Sequence, residues 1–192
     1  MLRRRFLAAI AALTGVNLAA AQGDDDLWRR LQAGGHVLLI RHAATIPGIG
    51  DPPGFRLAAC STQRNLSAAG KADARAIGSA LRQRGIPLGP VWSSRWCRCL
   101  DTAQLAFGRV EPAPMLDSMF TDSEAAARAK LRDTLARVGA YTGQGNLVLV
   151  THDINIRALV SESVAQGEIV VARAGQGKLH VIGRLRAPVA EN

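Results

Sequence analysis

The chain has 192 residues, which suits one compact domain and is too short for two, and its 48% of apolar and 20% of charged residues exclude a disordered polymer. Only 4% of the residues are aromatic, which argues against a surface that stacks on single-stranded bases, and three cysteines are too few for a disulfide scaffold. The formal net charge of +9, which falls to +6 without the three arginines at positions 3–5, favours anionic ligands.

The first 21 residues have the pattern of an export signal. A basic start precedes an apolar stretch from Phe6 to about Leu18, and three alanines follow at 19–21. The letters RRRFL at 3–7 also resemble the twin-arginine consensus R-R-x-F-L. The alternative is an uncleaved membrane anchor, but an apolar stretch of about 13 residues is too short to span roughly 30 Å of hydrocarbon. We therefore expect residues 1–21 to be removed, by the Sec or the twin-arginine route, and 22–192 to form a periplasmic domain without stable membrane insertion.

The rest of the chain alternates between apolar strands and helices. Strands are predicted at 36–41, 90–93, 146–151, 168–173 and 178–185. Helices are predicted at 24–31, 67–84, 96–107, 122–138 and 154–164. Segment 43–66 is a long loop rich in proline and glycine, and loops of this length are usually functional, whereas 111–120 is predicted to be irregular. The alternation predicts a single α/β domain with a mostly parallel central sheet and helices on both faces.

Basic and imidazole side chains follow three of the predicted strands. Arg41 and His42 follow the first, Arg95 and Arg98 follow the second, and His152 follows the strand at 146–151. Ligands of open α/β sheets bind outside the carboxyl ends of the strands, so these groups are expected to meet in one crevice if the strands are neighbours. Arginine forks match the oxygens of a phosphoryl group, and helix N-termini would add N–H donors. This pattern predicts a phosphate site.

Four segments, taken together, resemble the histidine phosphatase superfamily, the phosphoglycerate mutase-like proteins. The letters RHA at 41–43 match the family signature R-H-G/A, and SRWCRCLDTA at 94–103 matches S-x-x-x-R-x-x-x-T-A. The latter alignment places the family's phosphate-gripping arginine on Arg98. RNLSAAG at 64–70 resembles the helix entry L-[ST]-x-x-G, and VTH at 150–152 resembles the segment of the second histidine.

The resemblance implies a phosphoglycerate mutase-like fold and a two-step phosphoryl transfer. His42 would attack phosphorus to give a phosphohistidine, which water then hydrolyses. Arg41, Arg98 and His152 would hold the phosphoryl oxygens, and neither a metal nor another cofactor is implied. Two further arginines are candidates for substrate contact or for rim or surface charges: Arg64 and Arg95.

The proton donor departs from the pattern of the compact members. Many of them use a glutamate between the arginine helix and the second histidine, where this chain has Asp117, Asp122 and Glu124 without the full motif. His152-Asp153-Ile-Asn instead resembles the H-D-x-N of the acid phosphatase and phytase branch, in which the aspartate is the general acid. We assign the proton to Asp153, with Asp117 as the alternative; an aspartate that opens a helix is also common without a catalytic role.

The cysteines lack the spacing of a zinc site. Cys97 and Cys99 point to different sides of a predicted helix and are poor partners for each other. A disulfide from Cys60 to either of them would suit an oxidising periplasm and would tie the long loop to the arginine helix.

The function predicted from these features is an exported, metal-independent phosphomonoester hydrolase. Its partners would be a small-molecule or glycan phosphate ester and inorganic phosphate as the product. Nucleic acid is disfavoured because the basic residues are dispersed and no aromatic platform is evident. Two alternatives stay open: a phosphoglycerate mutase-like phosphotransferase, which export argues against, and a non-catalytic phosphate- or phosphoester-binding protein.

Overall fold

The computed structural model describes residues 25–186, so the export signal predicted at 1–21 lies outside the described residues. A six-stranded sheet runs through the domain in the order β3-β2-β4-β1-β5-β6. The strands are β1 (Val37–Arg41), β2 (Leu88–Ser93), β3 (Glu111–Pro112), β4 (Asn146–Thr151), β5 (Ile169–Gly175) and β6 (Lys178–Leu185). The helices are α1 (25–32), α2 (Ala68–Gln83), α3 (Cys97–Phe107), α4 (Glu124–Gly139) and α5 (Asp153–Val160).

Strands β3, β2, β4 and β1 are parallel, whereas β5 and β6 form an antiparallel hairpin at the other side of β1. In the register, Arg41 lies beside Thr151 and Ser93 lies beside Val150, so the carboxyl ends of β1, β4 and β2 meet at one edge. The sequence prediction of a mostly parallel sheet is confirmed. The same register brings the three histidine- and arginine-bearing turns together.

Helices cover both faces of the sheet, as predicted. Side chains of a strand point alternately to its two faces, and both faces of β1 are buried. Leu38 and Ile40 belong to the core cluster that includes residues of α2 and α3, whereas Val37 and Leu39 belong to the cluster that includes residues of α4 and α5. The continuous apolar run in β1 is the consequence of this double burial.

Element ends lie within two residues of the prediction except at two segments. Helix α5 ends at Val160 because Ser161 has a left-handed backbone with φ of 61°, and no proline or glycine marks this end in the sequence. Segment 111–120 is not wholly irregular, since Glu111–Pro112 adds a two-residue parallel strand beside β2. Within residues 25–186, no helix has the length and apolar character needed to cross a membrane.

Candidate active site

A cavity of about 900 Å³ opens at the edge where β1, β2 and β4 end. Its charged and imidazole lining comes from the turns after β1 and β4, from the long loop and from α3 and α5. These lining residues include Arg41, His42, Arg64, Arg98, His152 and Asp153. Of the residues predicted to act in catalysis or to bind substrate, all but Arg95 and the alternative proton donor Asp117 line this cavity.

The ring of His42 is held in one tautomer by the backbone. Its Nδ1 lies 2.9 Å from the carbonyl oxygen of Ala43, and because a carbonyl can only accept, Nδ1 carries the proton. The lone pair is then on Nε2. Burial lowers the pKa of His42 from 6.5 to about 3; the hydrogen bond to Ala43 raises it, and the nearby guanidinium groups of Arg98 and Arg41 lower it further. His42 is consequently a neutral imidazole with a free nitrogen at neutral pH.

His152 lies beside His42, with 5.5 Å between the ring centroids. It follows β4 and takes the N-cap position of α5. Its Nε2 is 2.9 Å from the hydroxyl oxygen of Ser94, and we assign the Ser94 hydroxyl as the donor, which leaves the ring proton on Nδ1. Burial and the charge of Arg98 hold the pKa of His152 well below its ordinary value. A neutral His152 can therefore donate one hydrogen bond without adding charge.

Three arginines lie near the histidines: Arg98 is buried, and Arg41 and Arg64 are half-buried. Arg41 donates from Nη1 to the carbonyl oxygen of Val164 at 2.6 Å, and Arg64 donates from Nη1 to that of Gly48 at 2.6 Å. The Nε atoms of Arg41, Arg64 and Arg98 are buried and have no hydrogen-bond partner among the described residues. Unpaired buried N–H donors are costly, and an anion with several acceptor oxygens would satisfy them.

The lining carries an excess of positive charge. Four arginines lie on the cavity, and two aspartates oppose them, so two positive charges are left over when both histidines are neutral. The arginines are Arg41, Arg64, Arg98 and Arg157, and the aspartates are Asp51 and Asp153. Such a surplus in a partly enclosed cleft favours a doubly charged anion such as a phosphate monoester.

Asp51 is a site residue that the sequence analysis did not identify. Its carboxylate accepts from Nη1 of Arg98 at 2.7 Å, from the indole Nε1 of Trp96 at 2.9 Å and from the backbone N–H of Arg64 at 2.9 Å. Burial raises the pKa of Asp51, but these hydrogen bonds outweigh it and hold the pKa below the ordinary value. No local pattern marks Asp51, because Arg98 is 47 positions away along the chain.

Arg95 is not among the residues that line the cavity. Its Nε donates to Oδ2 of Asp117 at 2.8 Å, and its backbone N–H donates to Oδ1 of the same carboxylate at 2.8 Å. Asp117 is buried and does not line the cavity. The pair fastens the start of α3 to the segment after β3. The sequence included Arg95 among the substrate-binding candidates, but in this arrangement its guanidinium binds Asp117 outside the cavity.

Among the candidate proton donors, Asp153 is the one that lines the cavity. Its Oδ1 accepts from the backbone N–H of Val164 at 2.8 Å, and its Oδ2 is 3.8 Å from Nη2 of Arg157. Glu124 is exposed on α4 and bonds to Arg128. Asp122 lies 2.7 Å from Nζ of Lys130, and Asp117 bonds to Arg95.

Cys60 and Cys97 form a disulfide that joins the long loop to the first turn of α3. This selects one of the two pairings that the sequence left open. Cys99 is a buried free thiol, and burial raises its pKa to about 12. The backbone N–H of Cys97 also donates to Oε1 of Gln63 at 3.0 Å, so the loop is fixed to α3 at two adjacent points.

Two motif positions have a structural reason. The hydroxyl of Thr102 accepts from the N–H of Ala43 at 3.0 Å and donates to the carbonyl oxygen of Arg98 at 2.7 Å, which connects the turn of His42 with α3. A Cβ atom at Gly70 would lie 1.8 Å from the carbonyl oxygen of Ala44, so only glycine allows α2 to approach this turn. The Thr102 contacts position the turn of His42 relative to Arg98, and the Gly70 contact sets how closely α2 lies against that turn.

Within residues 25–186, no group of three or more His, Cys, Asp or Glu side chains is arranged to hold a metal ion. No family model matches the sequence, and no curated protein matches it either.

The fold has clear relatives among solved structures. The alpha-ribazole phosphatase from Shigella flexneri is 18% identical with a TM-score of 0.58, over 82% of this chain and 98% of that one. The protein TTHB049 from Thermus thermophilus is 21% identical with a TM-score of 0.58, over 79% and 99%. The protein histidine phosphatase SixA, solved with tungstate, is 14% identical with a TM-score of 0.56, over 79% and 97%.

The sheet order and the solved structures therefore define an α/β domain with a phosphoglycerate mutase-like fold. Its structural neighbours include an alpha-ribazole phosphatase and a protein histidine phosphatase, and this chain shares their fold.

Proposed function

We propose that the protein is an exported, metal-independent phosphomonoester hydrolase that works through a phosphohistidine on His42. The observation that carries the proposal is the geometry of His42: its Nδ1–H is occupied by the Ala43 carbonyl, and its Nε2 is free in a cavity with three unpaired arginine donors. The tungstate in the SixA neighbour supports an anion site in this fold.

In the first step, the Nε2 lone pair of His42 attacks phosphorus and the P–O bond of the ester breaks. Asp153 donates a proton to the leaving oxygen, so that the alcohol departs neutral. Negative charge spreads over the three remaining phosphoryl oxygens, which Arg41, Arg98 and His152 stabilise by hydrogen bonds. The neutral state of His42 is essential, because a protonated ring has no lone pair to offer.

In the second step, water attacks the phosphohistidine. Asp153, now ionised, takes a proton from the water, the N–P bond breaks, and inorganic phosphate is released. His42 returns to its neutral state and Asp153 to its protonated state. Asp51 is a poor choice for the acid in this cycle, because its hydrogen bonds from Arg98 and Trp96 favour the ionised carboxylate.

Export is the second part of the proposal. It rests on the signal pattern at 1–21 and is supported by the Cys60–Cys97 disulfide, which suits an oxidising compartment. Fractionation of bacteria that express the full chain would place a shortened protein in the periplasm. Full-length protein retained in the cytoplasm would refute the export proposal and leave the chemistry untouched.

The enzymatic part is tested by hydrolysis of p-nitrophenyl phosphate. We expect turnover that EDTA does not change, that vanadate or tungstate inhibits, and that His42→Ala abolishes. His180→Ala is the matched control, because His180 is exposed on β6, outside the cavity. Undiminished turnover by His42→Ala would refute the proposal.

A further inference from the structure

The large apolar side chains that are exposed within residues 25–186 all lie on the candidate active-site cavity. They are Ile46, Ile49, Phe55 and Phe120, here called the apolar rim. Ile49 is 96% exposed and Phe120 is 67% exposed. Single exposed apolar residues are ordinary, but their confinement to one cavity marks a binding surface.

The apolar rim continues inward to the reacting atoms. The ring of Phe55 lies 5.8 Å from that of Trp96, and Trp96 lies 5.5 Å from His152, edge to face. His152 is in turn 5.5 Å from His42. An aromatic wall therefore leads from the cavity mouth to the proposed nucleophile.

The loop that carries most of the rim is fastened in place. Arg64 donates from Nη1 to the carbonyl oxygen of Gly48 and to the hydroxyl of Thr45, at 2.6 and 3.0 Å. Asp51 and the Cys60 disulfide fix the same loop to α3. A preorganised apolar surface binds an apolar group without the cost of ordering a loop. The apolar rim is thus built as part of the cavity.

We infer that the substrate is the phosphate monoester of an apolar alcohol, either an alkyl chain or an aromatic ring. The inference rests on the proposed function, since the arginines of the cavity take the phosphate and fix where the rest of the ester lies. The apolar group then covers Ile49, Phe55 and Phe120 and removes them from water. A sugar phosphate would instead place its hydroxyl groups against these apolar side chains. The hydroxyl groups would lose hydrogen bonds to water, and the apolar side chains could not replace them.

Binding of alkylphosphonates tests the inference without turnover. Their C–P bond is not cleaved by this chemistry, and calorimetry gives their affinities directly. A fully buried methylene strengthens binding about fourfold. At a rim open to solvent we expect about twofold for each methylene. Over the added methylenes of the longer chain, hexylphosphonate should therefore bind roughly 30-fold more tightly than methylphosphonate. Phe120→Ser and Ile49→Ser are expected to weaken hexylphosphonate about tenfold and to leave methylphosphonate unchanged. Ile49→Leu, the conservative control, should retain the preference.

Hydrolysis of alkyl phosphates compared with glycerol phosphate gives the second measurement. We expect kcat/KM to rise with chain length and to fall in Phe120→Ser for the long esters only. Equal affinity along the phosphonate series would overturn the inference. If the affinities are equal and the wild-type protein also binds phospholipid vesicles more tightly than Phe120→Ser does, the apolar rim faces a membrane and not the substrate. Hydrolysis of all esters without chain-length dependence refutes this inference alone, whereas hydrolysis of none refutes the proposed function.

Discussion

Asp51 and Arg98 form a buried ion pair, with 2.7 Å between Oδ1 and Nη1, in the same cavity that His42 lines. Arg98 is the residue that the family resemblance assigns to the phosphate. The carboxylate is therefore both the support that holds Arg98 in place and a competitor for its positive charge. A bound phosphate would share Arg98 with Asp51. The Nε of Arg98 has no partner among the described residues and is a donor that the ion pair leaves free.

Asp51→Asn separates these two effects. Both side chains of the pair are buried, and breaking a buried pair typically costs about 3 kcal/mol, so we expect the free energy of unfolding to fall by roughly that amount. Inorganic phosphate should bind about tenfold more tightly, because Arg98 has lost its counter-charge. Chemical denaturation and calorimetry measure the two effects. Asp133→Asn, on the exposed side of α4, is the control, and unchanged phosphate affinity in Asp51→Asn would count against the competition.

Arg98 and Arg95 lie three residues apart but are expected to differ in catalysis. Arg98→Ala removes a donor to the phosphoryl oxygens, and kcat/KM should drop by about 10²–10³. Arg95→Ala breaks only the pair with Asp117 outside the cavity, so the loss should stay below about tenfold. Steady-state kinetics on one ester suffices. Equal losses in the two variants would show that the assignment of the phosphate arginine is wrong.

If Asp153 is the proton donor, the activity lost when it is replaced should depend on the leaving group of the ester. Asp153→Asn should lower kcat/KM, which reports only the steps up to the phosphohistidine, by about 10²–10⁴ for alkyl phosphates, whose leaving oxygen needs a proton. For p-nitrophenyl phosphate, whose leaving group is stable as an anion, the loss should be small. Glu124→Gln is a suitable control, because Glu124 is exposed and bonds to Arg128 on the same helix. A uniform loss across leaving groups would argue against the role of Asp153.

The lowered pKa values of His42 and His152 predict that stability falls in mild acid. The unfolded chain binds protons on these rings below about pH 6.5, whereas folded His42 binds one only near pH 3, so the unfolded state holds more protons between these values. The free energy of unfolding should therefore rise with pH across this window, by about 1.4 kcal/mol per pH unit for His42, and His152 acts in the same direction. Denaturation of wild type and His42→Asn between pH 4 and 7.5 gives the difference. Parallel pH dependence of the two proteins would contradict the buried neutral state of His42.

Reduction of the Cys60–Cys97 disulfide should weaken both the fold and the site. The disulfide closes a loop of 37 residues. The chain-entropy model predicts that the free energy of unfolding falls by about 3–4 kcal/mol when the disulfide is reduced. Activity should also fall, since this bond ties the loop that carries Asp51 to α3. Thiol titration of the denatured protein should find one thiol, that of Cys99, before reduction and three afterwards. Three thiols without reductant would show that the disulfide does not form.

The sequence predicts the sheet, its faces and the meeting of strand ends because these follow from local patterns. The apolar runs at 36–41 and 146–151 fix buried parallel strands, and a parallel register then places Arg41, His42 and His152 at one edge. The resemblance adds Arg98 to this group. All four line one cavity, but their roles in catalysis stay predictions until they are measured.

Pairings between distant side chains were beyond the reach of these patterns. Asp51 contacts Arg98 across 47 positions, and Arg95 contacts Asp117 across 22, so neither partner is visible in the local sequence. The choice between Cys97 and Cys99 likewise depends on how α3 is rotated against the loop. These contacts are set by tertiary packing, which is why the sequence alone keeps Arg95 as a phosphate candidate and only the placement of the Asp117 carboxylate removes it.

The most direct test of the account is to trap the reaction intermediate. Wild-type protein is mixed with a phosphate ester, quenched in alkali, in which phosphohistidine survives, and analysed by peptide mass spectrometry. A phosphoryl group is expected on His42, where acid should remove it, and it should be absent from His42→Ala. Sustained hydrolysis with no phosphoryl group on His42, or with the group on another residue, would contradict the proposed mechanism.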